Sequence, residues 1–363
     1  MKRARLMDRP ADFKKFGINP SEVEVWEDGR RDDGRKGSFE WWYFDALLDD
    51  GTKLVMSFFP KIQQKIRKSG DYPFCRLAIT TPDGVAHTED FTYDAAEASF
   101  SKEKCDIVIG PHRVTGDLRN YSISISPVNG LGADLKLASK STPWRPGTAY
   151  FAFGDHDEKY FTWLCVVPRG EISGTITIDG TPRAVKGFGY HDHQWGNILH
   201  MFAWNQWIWA RENFGDYNLV LFDLVTNQKF GYLHFPLCFL EDASGNLILE
   251  NTGGVALEVL EEYYEKETAK SYPRRFRYTI DSDKKTLEYT VEVRDEIEIV
   301  NYFAKLKFYA KWLMTAKGLR PTYIRYEGTG EMRLTEDGVA VERKSNFIYE
   351  MLYAGKKYIK DKK

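Results

Sequence analysis

The segment 189–196 concentrates the side chains best suited to proton transfer. It reads Gly-Tyr-His-Asp-His-Gln-Trp-Gly, so one phenol, two imidazoles and one carboxyl group fall within eight residues. Because successive side chains of a strand point to opposite faces, Tyr190 and Asp192 would share one face. His191 and His193 would share the other. A carboxyl group beside a phenol on an aromatic surface favours acid chemistry on a hydrophobic substrate.

Burial would turn Asp192 into a neutral acid. An apolar cavity raises the pKa of a carboxyl group above its ordinary value of about 3.9, so the group could protonate an alkene or enol. Tyr190 could hydrogen-bond to the acid or pass the proton on. The alternative is a buried structural aspartate that accepts backbone N–H bonds at a domain junction, with both histidines satisfying its neighbours. The segment alone leaves both interpretations open.

The His-x-His spacing also admits a metal ion. His191 and His193 share a face, and two histidines with a third ligand can hold zinc. Candidate third ligands are His200, His234 and Glu40, none of them at a diagnostic spacing. We therefore expect a site without metal.

The segment 39–45, Phe-Glu-Trp-Trp-Tyr-Phe-Asp, is the second candidate. One face of such a strand would carry Glu40, Trp42 and Phe44. The other would carry Trp41 and Tyr43. Aromatic walls stabilise a passing carbocation by the physics of the cation–π contact. Alternatively, the strand fills an interface between two β units, although a carboxylate such as Glu40 then needs a partner.

Composition excludes several classes of protein. Lys and Arg total 51 against 53 Asp and Glu, for a formal charge of −2, so general nucleic-acid binding is not expected. The four cysteines are scattered and predict neither a disulfide framework nor a zinc ribbon. Phosphate-binding loops and nucleophile elbows are missing from the sequence, which favours cofactor-free chemistry.

The terminal sequences and the apolar runs of the chain indicate its cellular location. The basic start is followed by Asp8, Arg9 and Pro10 instead of an apolar core, and no apolar run is long enough for a membrane span. We predict a cytoplasmic protein without a transmembrane segment. The basic tail 356–363 could contact an anionic membrane transiently, although a solvated terminus is the simpler interpretation.

Short runs of aromatic and β-branched residues, separated by Asp-Gly turns, predict a mainly β chain. Segment 258–270 is the best helix candidate, yet the residues before it alternate as in a strand. Residues 1–37 form a charged N-terminal arm in this interpretation. The predicted β units span 38–200 and 201–363.

An internal repeat supports the two units. Moving on by 165 residues matches Trp42 with Trp207 and Phe44 with Trp209. The ends of the two units match as well, with Asp192 opposite Glu350. Each unit suits either a sandwich or an up-and-down barrel able to enclose one small apolar ligand.

Both motifs resemble the AttH-like, lipocalin-like superfamily, which includes carotenoid 1,2-hydratase (hydroxyneurosporene synthase) and fungal decalin-forming Diels–Alderases. Proteins of this type open with Glu-Trp-Trp-Tyr-Phe and close their first barrel with Asp-His-Gln-Trp-Gly. The resemblance implies an all-β fold of two tandem lipocalin-like antiparallel β-barrels with few helices. It also implies a hydrophobic pocket in or between them.

The resemblance implies roles for individual residues. The aspartate of the Tyr-x-Asp pair, here Tyr190 and Asp192, would protonate an isoprenoid double bond. Hydratase-type members carry a His-x-Trp pair upstream, and this chain keeps only Trp163 of it. Predicted catalytic residues are Asp192, Tyr190, His191, His193 and Glu40. Predicted substrate-binding residues are Trp41, Trp42, Tyr43, Phe44, Trp163, Trp195, Trp207 and Trp209.

These observations predict a cofactor-independent enzyme that acts on a hydrophobic polyene, terpenoid or polyketide. The reaction would be an acid-catalysed hydration (hydro-lyase chemistry), cyclisation or isomerisation. A Diels–Alderase-type pericyclic cyclase is one alternative, and a non-catalytic carrier of lipophilic small molecules is another. The sequence leaves the substrate and the oligomeric state open.

Overall fold

The predicted all-β class is confirmed by two curled, barrel-like antiparallel sheets of 13 and 9 strands. The computed structural model describes residues 2–250, 254–282 and 284–360. Chain contacts divide these residues into two compact units. The first unit comprises residues 5–152 and 156–198, and the remaining described residues form the second.

The first sheet contains both candidate segments, 39–45 and 189–196. Its strands are β1 (Ala4–Leu6), β2 (Phe39–Leu48), β3 (Lys53–Lys61), β4 (Phe74–Thr80), β5 (Ala86–Thr92), β6 (Ala98–Phe100), β7 (Asp106–Ile109), β8 (His112–Gly116), β9 (Asn120–Val128), β10 (Leu131–Ser139), β11 (Tyr150–Phe153), β12 (Lys159–Ile178) and β13 (Thr181–Gly196). Their order is β5-β4-β3-β2-β13-β12-β10-β9-β8-β7-β6, and β11 pairs with β1 and β12. The two motif strands, β2 and β13, are therefore neighbours in the middle of the sheet.

The sheet curls around one hydrophobic core, and apolar residues that alternate along its strands fill that core. Trp42, Phe44 and Ala46 of β2 point into that core, together with Met56 and Phe58 of β3. The β2–β3 hairpin turns at Asp50-Gly51, where Gly51 adopts a φ of +88° that a residue with a side chain rarely tolerates.

The N-terminal segment has regular structure where the sequence suggests an irregular arm. It contains β1, helix α1 (Pro10–Phe16) and a 3₁₀ turn at Val25–Asp28. Glu27 and Asp28 of this turn are buried. The segment is thus a packed part of the first unit and delivers a carboxyl group to its interior.

The second sheet has the order β17-β16-β15-β14-β22-β21-β20-β19-β18. Its strands are β14 (Trp204–Asn213), β15 (Tyr217–Thr226), β16 (His234–Asp242), β17 (Leu247–Glu250), β18 (Val255–Glu265), β19 (Lys270–Ser282), β20 (Lys285–Val300), β21 (Leu319–Glu336) and β22 (Val339–Gly355). Two helices accompany it, α2 (His200–Ala203) and α3 (Phe308–Ala316). The prediction of a helix at 258–270 is wrong. The segment forms most of β18 and the first residue of β19, in agreement with the strand-like alternation of the residues just before it.

The repeat appears in the strand order, with one correction to its register. Strands β2 and β14 lie at equivalent places, each between its hairpin partner and the last strand of its unit. Trp42 points into its core, whereas on β14 the core residues are Ile208 and Ala210. Matching Trp42 with Trp207 is therefore wrong by one residue, and a slip of one residue exchanges the faces of a strand.

The match at the ends of the units is consistent with the pairing. Asp192 lies opposite Tyr43, and Glu350 lies opposite Trp209. Tyr43 is therefore the residue that corresponds to Trp209. This register also keeps both carboxyl groups on the strand faces that point away from the cores.

Candidate active site

Strand β13 divides the candidate site into two halves. As the spacing predicts, Tyr190, Asp192 and Gln194 lie on the face that points away from the core, which we call the outer face. His191 and His193 lie on the core face, where they stack on Phe44 and Trp42 with ring centroids 3.9 and 4.4 Å apart. The segment thus places two pairs of ionisable side chains on opposite faces of one strand.

Asp192 on the outer face is held by three donors, and with them it forms the acid cluster (Asp192, Tyr190, Trp163, Gln194). Its Oδ2 accepts a hydrogen bond from the Tyr190 hydroxyl at 2.9 Å and from Trp163 Nε1 at 3.1 Å. Its Oδ1 accepts one from Gln194 Nε2 at 3.1 Å. Trp163 comes from the neighbouring strand β12, and the Trp144 ring packs edge-on against it at 5.7 Å.

Burial and these hydrogen bonds act in opposite directions on Asp192. Removal from water raises the pKa of its carboxyl group to about 6, while the bonds from Gln194, Trp163 and Tyr190 limit the rise. Burial also raises the pKa of the Tyr190 phenol well above its usual range, so this hydroxyl keeps its proton and acts as a donor. Asp192 is therefore suited to give up and recover a proton near neutral pH.

The core face carries a second network, the inner cluster (Asp28, Glu40, Tyr121, His191, His193). Asp28 Oδ2 accepts a hydrogen bond from the Tyr121 hydroxyl at 2.6 Å and lies 3.2 Å from His191 Nε2. His191 Nδ1 lies 2.9 Å from the Tyr43 carbonyl oxygen, which can only accept, so Nδ1 carries a proton.

His193 links Asp28 to Glu40. Its Nε2 lies 2.8 Å from Glu40 Oε1, and its Nδ1 lies 3.4 Å from Asp28 Oδ1. Burial raises the pKa of Glu40 to about 8 and lowers the pKa of His193 to about 3, so both groups are neutral at pH 7. The consistent arrangement has the Glu40 carboxyl donating to Nε2 and the imidazole proton on Nδ1, which lies near Asp28 Oδ1 but makes no hydrogen bond to it.

Glu40 is expected to make the protein less stable as the pH rises above neutrality. Its pKa is 4.5 in the unfolded chain and about 8 when folded, so its contribution is full below pH 4.5 and is lost as the pH rises through 8. His193 acts in the opposite sense, but only between pH 3 and 6.5. From pH 6.5 to 8 we expect a loss of about 2 kcal/mol in unfolding free energy.

Urea unfolding at several pH values tests this expectation. Glu40→Gln should be less stable throughout, because its amide cannot accept both backbone N–H bonds that Arg31 and Asp32 donate to Glu40. Its stability should, however, vary less between pH 6.5 and 8. The exposed Glu171→Gln is the control and should keep the wild-type slope. A Glu40→Gln slope equal to that of the wild type would contradict the assignment.

The donors that could hold a metal differ from the expected set. Among the described residues, Asp28, Cys105 and His191 offer ligand atoms within 4.8 Å of one another. His193 is instead bonded to Glu40. Burial and the nearby Asp28 raise the pKa of the Cys105 thiol well above its usual range, which disfavours the thiolate that a metal ion would bind.

The two other candidate third ligands lie in the second unit. There the His234 ring hydrogen-bonds to Asp223, and His200 packs edge-on against Trp207 at 4.8 Å. Each of these imidazoles therefore has a local structural contact in its own unit.

A cavity of about 430 Å³ opens beside the inner cluster. Trp26, Tyr150 and Trp195 supply aromatic surface, and Arg31 and Asp32 supply charge. The Trp195 indole donates to the Tyr150 hydroxyl at 3.1 Å. The cavity wall also reaches the inner cluster, because the backbone N–H groups of Arg31 and Asp32 donate to Glu40.

The structure distributes the predicted aromatic residues among several places. Tyr43 contacts Tyr190 edge-on at 6.4 Å, and Trp41 stacks on Phe39 at 5.3 Å. Trp42 and Phe44 are packed in the core, where they hold the histidines. Trp207 and Trp209 belong to the second unit, on the β14 face away from its core.

Several residues of the site escape sequence reasoning. Asp28 and Tyr121 complete the inner cluster, and Trp26, Arg31 and Tyr150 line the cavity. For Asp28 a signal exists in the sequence Val-Glu-Val-Trp-Glu-Asp at 23–28, where apolar residues interrupt the charged arm. Tyr121 has no comparable signal, because it is one more aromatic residue in an ordinary strand.

The fold and site define a tandem lipocalin-like β protein with a buried acid on the last strand of its first sheet. The chain belongs to the AttH-like family, whose model matches residues 30–308. The family resemblance predicted from the two motifs is confirmed.

Two curated relatives have names that describe enzymatic reactions. A quinolone epoxide rearrangement protein from Emericella nidulans is 25% identical over 222 residues, 58% of this chain and 60% of the relative. A Diels–Alderase from Chaetomium globosum is 23% identical over 195 residues, 52% of this chain and 43% of the relative. The chain thus spans about half the length of the curated relatives it matches.

Solved structures agree with the fold. An AttH protein from Nitrosomonas europaea has a TM-score of 0.60 at 17% identity, covering 93% of this chain and 99% of that one. Kievitone hydratase from Nectria haematococca has a TM-score of 0.53 at 13% identity, covering 92% and 94%. Within the described part of the chain, none of the helices has the length and apolar character of a membrane span.

Proposed function

We propose that this protein is a cofactor-independent enzyme that rearranges, cyclises, hydrates or isomerises a hydrophobic polyene, terpenoid or polyketide by acid catalysis. The observation that carries the proposal is the buried Asp192 carboxyl, whose pKa of about 6 lies close to neutral pH. Asp192 is the proposed general acid. Tyr190, Trp163 and Gln194 are its positioning residues.

The acid cluster suits a proton transfer that is reversed later in the cycle. The neutral Asp192 carboxyl gives its proton to an alkene carbon or to a carbonyl or epoxide oxygen, and the substrate becomes cationic. The three donors around the carboxyl oxygens then stabilise the carboxylate that remains. Attack by water neutralises the cation once the added water loses a proton. Attack by an internal double bond instead forms a C–C bond and moves the positive charge to another carbon, and loss of a neighbouring proton then restores a neutral product. In each case the Asp192 carboxylate takes up the released proton.

The relatives support this class of chemistry without fixing the reaction. An epoxide rearrangement needs the epoxide oxygen to be activated, for which a neutral carboxyl group is suited. A Diels–Alder reaction needs chiefly a pocket that folds the substrate, with polar groups on its carbonyl. The pericyclic alternative is therefore kept, and it predicts only a modest role for proton donation.

Mass spectrometry of small molecules that accompany the purified protein tests the substrate class. We expect the organic extract to contain a conjugated or polycyclic hydrophobic compound, or the source cells' lipophilic extract to be altered on incubation with the protein. Recovery of a bound compound that the wild-type protein never converts would instead support a carrier. In that case the 430 Å³ cavity beside Trp195 is the first place to search for the ligand.

Tyr190→Phe is expected to shift the pH dependence of turnover to higher pH. The Tyr190 hydroxyl donates to Asp192 and lowers its pKa, so its removal should leave the acid protonated at a higher pH. The measurement is kcat/KM between about pH 5 and about 9, a range that brackets the titration. Tyr160→Phe is the control. It removes a hydroxyl that accepts a hydrogen bond from Arg35, and it should not shift the pH profile. An unchanged Tyr190→Phe profile would contradict the assigned contact.

A further inference from the structure

Helix α3 of the second unit presents its large apolar side chains to solvent. Phe308 is 85% exposed, Trp312 73%, Tyr309 60% and Leu313 48%. At 100° per residue these four positions span one face of the helix, while Ala310, Lys311 and Met314 on the opposite face are half-buried. The helix is thus amphipathic, but its apolar face points to solvent, whereas the apolar face of a surface helix normally packs against the core.

This patch differs from scattered surface hydrophobic residues. Single exposed apolar side chains are normal, but a contiguous aromatic patch marks a surface with a partner. Tyr302, also exposed, lies shortly before the helix. The four exposed side chains of α3 form such a patch without Tyr302.

The segment that carries the patch is basic. Residues 301–320 contain four lysines and one arginine and no acidic residue, although the whole chain has a formal charge of −2. Lys305, Lys307 and Lys317 are exposed beside the aromatic face. A cationic rim around an aromatic patch selects a partner that is apolar inside and anionic at its surface.

We propose that α3 is an interfacial anchor that docks the protein reversibly on an anionic lipid surface. The aromatic rings would enter the boundary between headgroups and acyl chains, where Trp and Tyr are favoured, and the lysines would contact the anionic headgroups. At nine residues the helix is about 14 Å long, so it lies in the membrane plane.

A second copy of the chain fits this surface less well. A two-fold interface places the same segment against itself, which would bring five cations of one copy against five of the other. An anionic bilayer instead neutralises them. The proposal concerns membrane attachment and does not depend on the proposed catalytic reaction.

Vesicle co-sedimentation of the full chain tests the proposal. We expect binding to phosphatidylcholine vesicles that contain about one-fifth phosphatidylserine, and much weaker binding to pure phosphatidylcholine or in about 1 M salt. The double variant Phe308→Ser/Trp312→Ser should bind the anionic vesicles about tenfold more weakly. Both side chains are exposed, so the variant should keep the wild-type circular dichroism spectrum.

Two control variants show whether vesicle binding depends on α3 itself. Val85→Ser/Val339→Ser removes two exposed apolar side chains elsewhere and should bind as the wild type does. Lys356→Gln/Lys357→Gln neutralises part of the basic tail, whose last three residues lie outside the described chain, and should retain most of the binding. The proposal is overturned if the α3 variant binds as tightly as the wild type. It is equally overturned if wild-type protein ignores the vesicles and forms a dimer that the variant abolishes.

Discussion

Asp192→Asn is expected to lower turnover of the substrate by about 10²–10⁴-fold. Asparagine keeps the size of the side chain but has no acidic proton to give. The amide oxygen can still accept from some of the donors around it, but its NH₂ group faces at least one of them without an acceptor. Steady-state kinetics, with ligand affinity measured separately, show whether the chemical step or binding is lost.

The size of this loss separates the three functions that the fold permits. A near-complete loss with intact binding identifies proton-initiated chemistry, and a loss below about tenfold favours a pericyclic cyclase. Wild-type protein that binds but never turns over its ligand is a carrier. Asp134→Asn, an exposed carboxyl on the same sheet, is the matched control and should be as active as the wild type.

Asp28→Ala is expected to destabilise the first unit by about 3–5 kcal/mol. The Asp28 carboxyl accepts from Tyr121 and faces both histidines of β13, and all of these groups are buried. Without it the Tyr121 hydroxyl and the His191 imidazole have lost a shared partner in a region that water does not reach. Denaturant unfolding followed by circular dichroism measures the change.

Asp33→Ala provides the comparison within the same segment. Asp33 pairs with Arg35 at the surface, where both side chains are more than half exposed, so its removal should change stability by less than about 0.5 kcal/mol. Equal effects of the two substitutions would mean that the inner cluster adds nothing to the fold. A variant with normal stability but altered pH dependence would give the cluster a purely electrostatic role.

The two faces of β13 show how the site is organised. The strand holds Asp192 outward and His191 and His193 inward, so the acid and the inner cluster share one rigid backbone. Replacing the core-facing histidines would therefore disturb the acid through the strand. Loss of activity in a histidine variant does not by itself identify a histidine as catalytic.

Local sequence was enough to predict the arrangement along this strand. Alternation in 189–196 correctly separated Tyr190 and Asp192 from the two histidines, because the period of a strand is two residues and permits no drift. Asp-Gly turns and β-branched runs likewise indicated a mainly β chain, and the internal repeat indicated two β units. The repeat correctly identified β2 and β14 as equivalent strands. Its register was wrong by one residue, because Trp42 points into the core of its sheet whereas Trp207 points away from the core of the other.

What could not be predicted depends on contacts distant in the sequence. Asp28 meets His191 across 163 positions. The apolar residues just before Asp28 indicate that this part of the segment is packed, but the local sequence does not show which distant side chains the carboxyl group contacts. Helix α3 was missed for a different reason. It is only nine residues long and exposes the apolar side that normally identifies a buried helix face.

The pH dependence of turnover tests the central claim most directly, namely that Asp192 acts as the general acid. For the wild type, kcat/KM should be constant at low pH and fall about tenfold per pH unit above the pKa of Asp192, which is about 6. Asp192→Asn should be slow and should lack this decline. A wild-type rate that stays constant between about pH 5 and about 8, together with an active Asp192→Asn variant, would contradict the account.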